Sequence, residues 1–245
     1  MNFPNNSVIA ISVFFTVTFS SFIVATTYRN RHRANDVINV TGHGTRSFDS
    51  DLVTWSGTYN RIAMDLKSSY KLLSQDREEV SKFLQSFGIK AEDLKFSAVN
   101  VTKENETLYD KNSIPRVNFK GFRLTQSVSI QSLEINKIEE LSRQVTQLLN
   151  LGIELNSSAP QYFYTKMPEL KLAMIAEATR DGRARAEKIS QESGSKLGKL
   201  RYASMGVFQI TAENSDSDYS WGGTFDTSSR KKNASITTKL QFGVE

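Results

Sequence analysis

Residues 8–28 run for 21 positions without a charge and are rich in Val, Ile and Phe. At a rise of 1.5 Å per residue, a helix over such a run is about as long as bilayer hydrocarbon is thick, roughly 30 Å. Ser12, Thr16, Thr18, Ser20, Ser21, Thr26 and Thr27 dilute its hydrophobicity, but their hydroxyls can bond back to helix carbonyls. The run closes on Arg29-Asn30-Arg31-His32-Arg33, the composition of a membrane-interface stop. Two readings compete with a membrane anchor. A cleaved signal peptide is disfavoured because residues 1–7 lack a positive charge, the apolar run exceeds an ordinary signal core, and Val24-Ala25-Thr26-Thr27 is a poor processing site. A buried helix of a folded domain does not explain the basic flank. The expectation is one N-terminal transmembrane helix, with residues 1–35 as anchor and flank and residues 36–245 as a single domain.

Orientation is contested within the sequence. The positive-inside tendency places Arg29, Arg31 and Arg33, and hence the domain, in the cytoplasm. These arginines also account for three of the five net positive charges, leaving about +2 for the rest. A nucleic-acid binder would gather Lys and Arg with aromatics on one face; no such gathering exists, and nucleic acid is not an expected partner. The chain has no Cys, which removes disulfides, thiolate nucleophiles and cysteine metal sites together.

Period-2 alternation marks strands with one buried face. Phe122, Leu124, Gln126, Val128 and Ile130 alternate with polar residues, as do Ile236, Thr238, Leu240, Phe242 and Val244. Further strands are expected at 37–48, 52–62, 94–102, 153–165 with a break at Pro160, and 200–211. Helical spacing predicts three helices. The first covers 65–87, buries Leu66, Tyr70, Leu73, Val80, Phe83, Leu84 and Phe87, and stops at Gly88; the second covers 135–150 and stops before Gly152. The third, 168–193, has a predicted inward face of Leu172, Ile175, Ala176, Thr179, Gly182, Ala186 and Ile189, whose small centre would bring the helix axis close to a sheet. This order favours an α+β fold, a mainly antiparallel sheet with helices packed on it. Residues 213–233 are polar, Ser/Asp/Gly-rich and expected to form a loop or disordered insert. Trp221 and Phe225, isolated in that setting, are candidate partner contacts.

Few residues in the sequence are arranged for chemistry. The only histidines are His32 and His43, too few for an imidazole zinc site. A triad would have to use His43 with Ser47, Asp49 or Asp51, and no GxSxG elbow exists. Gly42-His43-Gly44-Thr45-Arg46-Ser47 lacks the third glycine of a dinucleotide loop and is followed by a strand pattern rather than a helix, so backbone geometry explains its glycines better. No Walker A motif is present, and no carboxylate pair can be argued. No catalytic, cofactor or metal residues are expected.

Several segments carry a resemblance: Val37-Ile38-Asn39-Val40-Thr41-Gly42-His43-Gly44, then Asp51-Leu52-Val53-Thr54-Trp55, then the Gly121-Phe122 strand. They continue in the alanines of Ala173-Met174-Ile175-Ala176-Glu177-Ala178 and Arg183-Ala184-Arg185-Ala186-Glu187-Lys188, leading to Lys196-Leu197-Gly198-Lys199-Leu200. Over residues 37–245 the chain resembles the SIMPL-domain family. The resemblance implies an α+β domain held in the bacterial periplasm or at the envelope, here on the inner membrane through residues 8–28. It further implies assembly with copies of itself, since some members form ring-like or channel-like oligomers. It transfers no catalytic residue, cofactor or metal. Some relatives are associated with oxidative-stress protection and one with kinase signalling, which is a context and not a mechanism. Three functions follow as expectations: a self-associating envelope protein, an adaptor that binds another envelope protein through residues 213–233, and a hydrolase built on His43.

Overall fold

The computed structural model describes residues 5–33, 36–109, 115–215 and 220–244, without the side chains of 5–9, 11 and 29–33. Among the described residues there are four α-helices: α1 (Asn5–Arg33), α2 (Leu66–Ser86), α3 (Ile135–Gln144) and α4 (Met167–Glu192). The strands are β1 (Val37–Asp49), β2 (Leu52–Ala63), β3 (Lys95–Phe96), β4 (Asn100–Tyr109), β5 (Pro115–Ser132) and β6 (Leu155–Ser157). They continue with β7 (Gln161–Phe163), β8 (Leu197–Met205), β9 (Gln209–Ala212), β10 (Thr224–Phe225) and β11 (Lys231–Val244).

The first helix exposes Phe14, Phe15, Val17, Phe19, Phe22 and Val24 on all its sides. Its Thr16, Thr18 and Thr26 hydroxyls donate to the carbonyls of Ser12, Phe14 and Phe22, four residues back. Among the described residues no helix is long and apolar enough to cross a membrane. The continuous part of α1 with described side chains, residues 12–28, falls short of the ~20 residues a span takes, and the basic flank at Arg29, Arg31 and Arg33 lies outside the described side chains.

The fold is α+β, but the strands build two sheets where one was expected. In one, β5 pairs β2 on one side and β3 and β4 on the other, and β2 continues to β6 and β7. In the second, β11 lies between β1 and the end-to-end pair β8 and β9, with β10 at the edge. All pairings are antiparallel except β9 with β10. The division occurs at Ser50-Asp51, between two long strands. That dipeptide lacks the Asn-Gly or Asp-Gly chemistry of a tight hairpin. Its amides instead bond outward to different sheets, Ser50 to the carbonyl of Arg230 and Asp51 to that of Phe163.

Helices α2 and α3 cover the first sheet. Val53, Trp55 and Tyr59 from β2, with Leu124, Val128 and Ile130 from β5, meet Leu73, Val80, Leu84, Ile138, Leu141 and Leu148. Asp65 caps α2 by accepting the Ser68 amide at 2.9 Å, and Gly88 follows its end with φ +76°. The predicted face of α2 needs correction in its N-terminal half, since Leu66 and Tyr70 are exposed while Ser69 and Asp76 are buried. Asp76 is buried because Arg61 of β2 grips it with two hydrogen bonds. The second predicted helix divides into α3 and a 3₁₀ turn, Val145–Leu151.

Helix α4 lies across β1 and β11. Its buried stripe is Leu170, Met174, Ala178, Gly182, Ala186 and Ser190, rotated from the predicted face; Leu172 and Ile189 are exposed. The close approach of the backbones selects this stripe. A Cβ on Gly42 would overlap the Ala178 carbonyl oxygen and the Gly182 backbone, and one on Gly44 would lie 2.8 Å from the Met174 carbonyl oxygen.

The polar insert is also more structured than expected. Residues 224–225 form β10, and β11 begins at Lys231, inside the segment expected to be loop. The strand expected at 200–211 is broken at Gly206, and that expected at 94–102 becomes β3 and the longer β4.

Candidate binding surfaces

Helix α4 occupies one face of the second sheet and leaves the other open. Along β1 the residues turned away from α4 are Asn39, Thr41, His43, Thr45 and Ser47, all exposed. Opposite them on β11 stand Gln241, Lys239, Thr237, Ser235 and Asn233. His43 and Ser47 are four residues apart on one strand face, about 13 Å, beyond hydrogen-bond reach. The His43 amide donates to Asp181 Oδ2 at 2.8 Å, satisfying one free donor on this edge strand. That bond, first among the causes and joined by Arg185, holds the Asp181 carboxyl below the usual carboxylate range. Asp51 accepts from the amide and hydroxyl of Thr165, both at 2.7 Å. The geometry therefore separates the residues from which a triad would be assembled.

From Ser220 onward the chain folds back onto the open face. Gln209, buried, donates from Nε2 to the Ser220 carbonyl at 2.7 Å and accepts the Ser220 amide at 3.4 Å. The Gly223 amide returns to the Ser220 carbonyl at 3.0 Å. β10 then lies parallel to β9, and Asp226 accepts bonds from the amides of Ser228 and Ser229 and the Ser228 hydroxyl. Lys232, only 1% exposed, reaches from β11 to the Asp226 carbonyl oxygen and lies 3.6 Å from its carboxylate. Burial pushes the Lys232 ammonium below its ordinary pKa against the pull of Asp226. For Asp226, burial acts upward, but the bonds from Ser228 and Ser229 and the Lys232 charge outweigh it and hold the carboxyl low.

The structure places the two predicted contact residues differently. Trp221 is 100% exposed, whereas Phe225 sits half-exposed on β10. Beneath Trp221 a cleft of about 560 Å³ opens. Met205, Gly206 and Val207 wall it, and His43, Thr237 and Lys239 floor it. Sequence reasoning found Trp221 but missed this floor, because nothing in the local pattern says that the insert returns over β1 and β11.

A second exposed surface belongs to the β4–β5 hairpin. β2 pairs β5 only from Phe122 to Ser132, so the ladder from Glu104 to Tyr109 projects as a two-stranded arm. Thr107 pairs Val117, Asn105 pairs Phe119 and Tyr109 pairs Pro115, which places an apolar strip on one face. Val117 is 68% and Tyr109 71% exposed. The strip joins the first core through Phe119 and Phe122, whose rings meet edge to face at 5.3 Å. On the opposite face Lys120 pairs Glu106 at 2.7 Å. A two-stranded ribbon has marginal stability in water by itself.

The family profile described as SIMPL, a protein of unknown function (DUF541), matches residues 38–241. The chain belongs to the SIMPL family. No curated protein matches it. The SIMPL profile takes in both sheets, the cleft and the arm, and its description assigns them no chemistry. Among the described residues of this SIMPL chain, no three His, Asp or Glu side chains gather where they could hold a metal ion. The SIMPL domain exposes an apolar arm on one sheet and a cleft under an exposed indole on the other.

Proposed function

We propose that the chain is a non-enzymatic, membrane-anchored cell-envelope protein that self-associates. Residues 8–28 would be a single-pass anchor in the bacterial inner membrane, with the SIMPL domain on the periplasmic side. The observation that carries the anchor is α1, apolar on every side, with Thr hydroxyls that bond its own carbonyls. A helix apolar all round belongs in a protein core or in lipid, and these exposed phenylalanines meet no core. The observation that carries self-association is the arm, whose apolar face has no cover among the described residues. The family resemblance favours the periplasm and the arginine flank opposes it; the resemblance covers more of the chain and supports the periplasmic reading. Relatives' association with oxidative stress supplies a cellular context for the same reading.

Two measurements test this. Protease added to spheroplasts should digest the domain; protection until the inner membrane is opened would overturn the orientation. Native mass in mild detergent should exceed that of one chain, and a clean monomer over a wide concentration range would end the self-association reading.

The full exposure of Trp221 supports a second reading, an adaptor that holds another envelope protein through residues 213–233. Because Lys232 and β10 are structural, the informative change is Trp221→Ala and not excision of the insert. A partner that co-purifies with the native chain should be lost from the variant; unchanged partners would count against the adaptor.

A further inference from the structure

We propose that the cleft beneath Trp221 is a binding site for a small organic anion with a flat apolar body, such as an aryl carboxylate. Three observations converge on it. First, the backbone next to the exposed indole is fixed: the Gln209 amide grips Ser220 by both of its hydrogen-bonding ends. Gly223, at φ +87°, then turns the chain where a Cβ would meet the Phe208 carbonyl oxygen at 2.7 Å. Covering a large apolar side chain is worth about 1.5–3 kcal/mol, and a fully exposed indole leaves that gain for a ligand. The backbone that carries the indole is already fixed, so binding has to order little more than the side chain itself.

Second, the cleft has the make-up of a ligand site. Its volume, about 560 Å³, falls in the usual range of roughly 300–1,000 Å³ for small-molecule pockets. Met205, Val207 and Trp221 give it apolar walls, and a few polar groups converge on one side. That size admits a ring with a short chain, not a helix.

Third, the floor selects charge. Lys239 has no ion-pair partner among the described residues, and it stands on the same sheet face as Thr237 and His43, which oppose each other across β1 and β11. No carboxylate lies among the described lining residues. Nearby Asp181 is already engaged by the His43 amide and by Arg185. An anionic head would meet the Lys239 ammonium and the Thr237 hydroxyl, while its apolar body lies against the indole. The site depends neither on self-association nor on the membrane.

The chain carries its own reporter. Its two tryptophans divide into buried Trp55, whose Nε1 donates to Ser157 at 2.9 Å, and exposed Trp221. The experiment titrates the full chain in mild detergent with 4-phenylbutyrate, 4-phenylbutanol and 4-phenylbutylammonium, reading tryptophan emission and confirming by calorimetry. The anion should bind saturably and shift the emission to the blue, and the alcohol and the amine should bind about tenfold more weakly, the loss of one charged contact. Lys239→Gln, an exposed position whose change spares the fold, should erase this preference, and Trp221→Ala should abolish the heat of binding. Equal binding of anion and amine, equal binding by the Lys239→Gln variant, or no saturable signal by about 10 mM, an affinity under ~3 kcal/mol, would overturn the proposal. An emission already blue, moving with protein concentration and not with probe, would overturn it too, since the cleft would then be covered by a second copy.

Discussion

Gly42 and Gly182 fix the distance between a helix and a strand. Because a Cβ on Gly42 would run into the Ala178 carbonyl oxygen, Gly42→Ala should cost more than about 3 kcal/mol, measured as a lowered urea midpoint. The sequence pointed to backbone geometry at this glycine, for which the structure instead gives the close approach of α4 as the reason, since Gly42 is not among the positive-φ glycines. It did not say which stripe of α4 meets the strand, because small residues occupy two neighbouring stripes and only contact with β1 separates them. Lys232 is less legible still. In the row Lys231-Lys232-Asn233 no local pattern marks one lysine as buried; its burial follows from strand alternation once β11 is extended into the insert. Asp226 and Lys232 together give a pH dependence. The folded carboxyl titrates below its unfolded value, so its contribution is complete above about pH 4 and disappears as pH falls through the folded pKa. Asp226→Asn should therefore flatten the change in urea midpoint between about pH 5 and about pH 3. Lys232 acts in another window. Its folded pKa is depressed, so the native state binds fewer protons just below the unfolded value of about 10.4, and stability rises with pH there; Lys232→Met should remove that rise.

At the scale of elements, the β4–β5 arm is the surface on which self-association is most directly tested. Val117→Ser with Tyr109→Ser leaves the ladder and the Phe119–Phe122 contact in place, so the fold should lose at most about 1 kcal/mol by denaturant titration, while the native mass in mild detergent should fall. An unchanged oligomer would exonerate the arm without ending self-association. The bulge at its base should be less forgiving. Gly121 has φ +134°, and a Cβ there would overlap the Ala63 carbonyl oxygen, so Gly121→Val should loosen the arm and destabilise the first sheet by about 2–4 kcal/mol. Alternation foretold the paired half of β5 but not the arm, whose residues 115–120 do not alternate apolar with polar in register with the half that β2 pairs.

For the molecule as a whole, the α+β class and nearly every strand were readable, because each buried face leaves its period in the sequence. The partition into two sheets was not. It depends on pairings such as Val37 with Gly243 and Phe48 with Lys232, which no local period records, and on a two-residue link whose amides bond in different directions. The candidate site is distributed in the same way: Trp221 was visible, but its floor is assembled from β1 and β11, near opposite ends of the described chain. That distribution also orders events during synthesis. The first sheet, with both of its helices, is drawn wholly from residues 52–163 and can close as soon as these have emerged. Strand β1 emerges earlier yet has no partner until residues 231–244 arrive. A nascent chain thus carries thirteen unpaired strand residues through the making of nearly everything else, and this interval, more than any weakness of the finished fold, is where a chaperone would be needed.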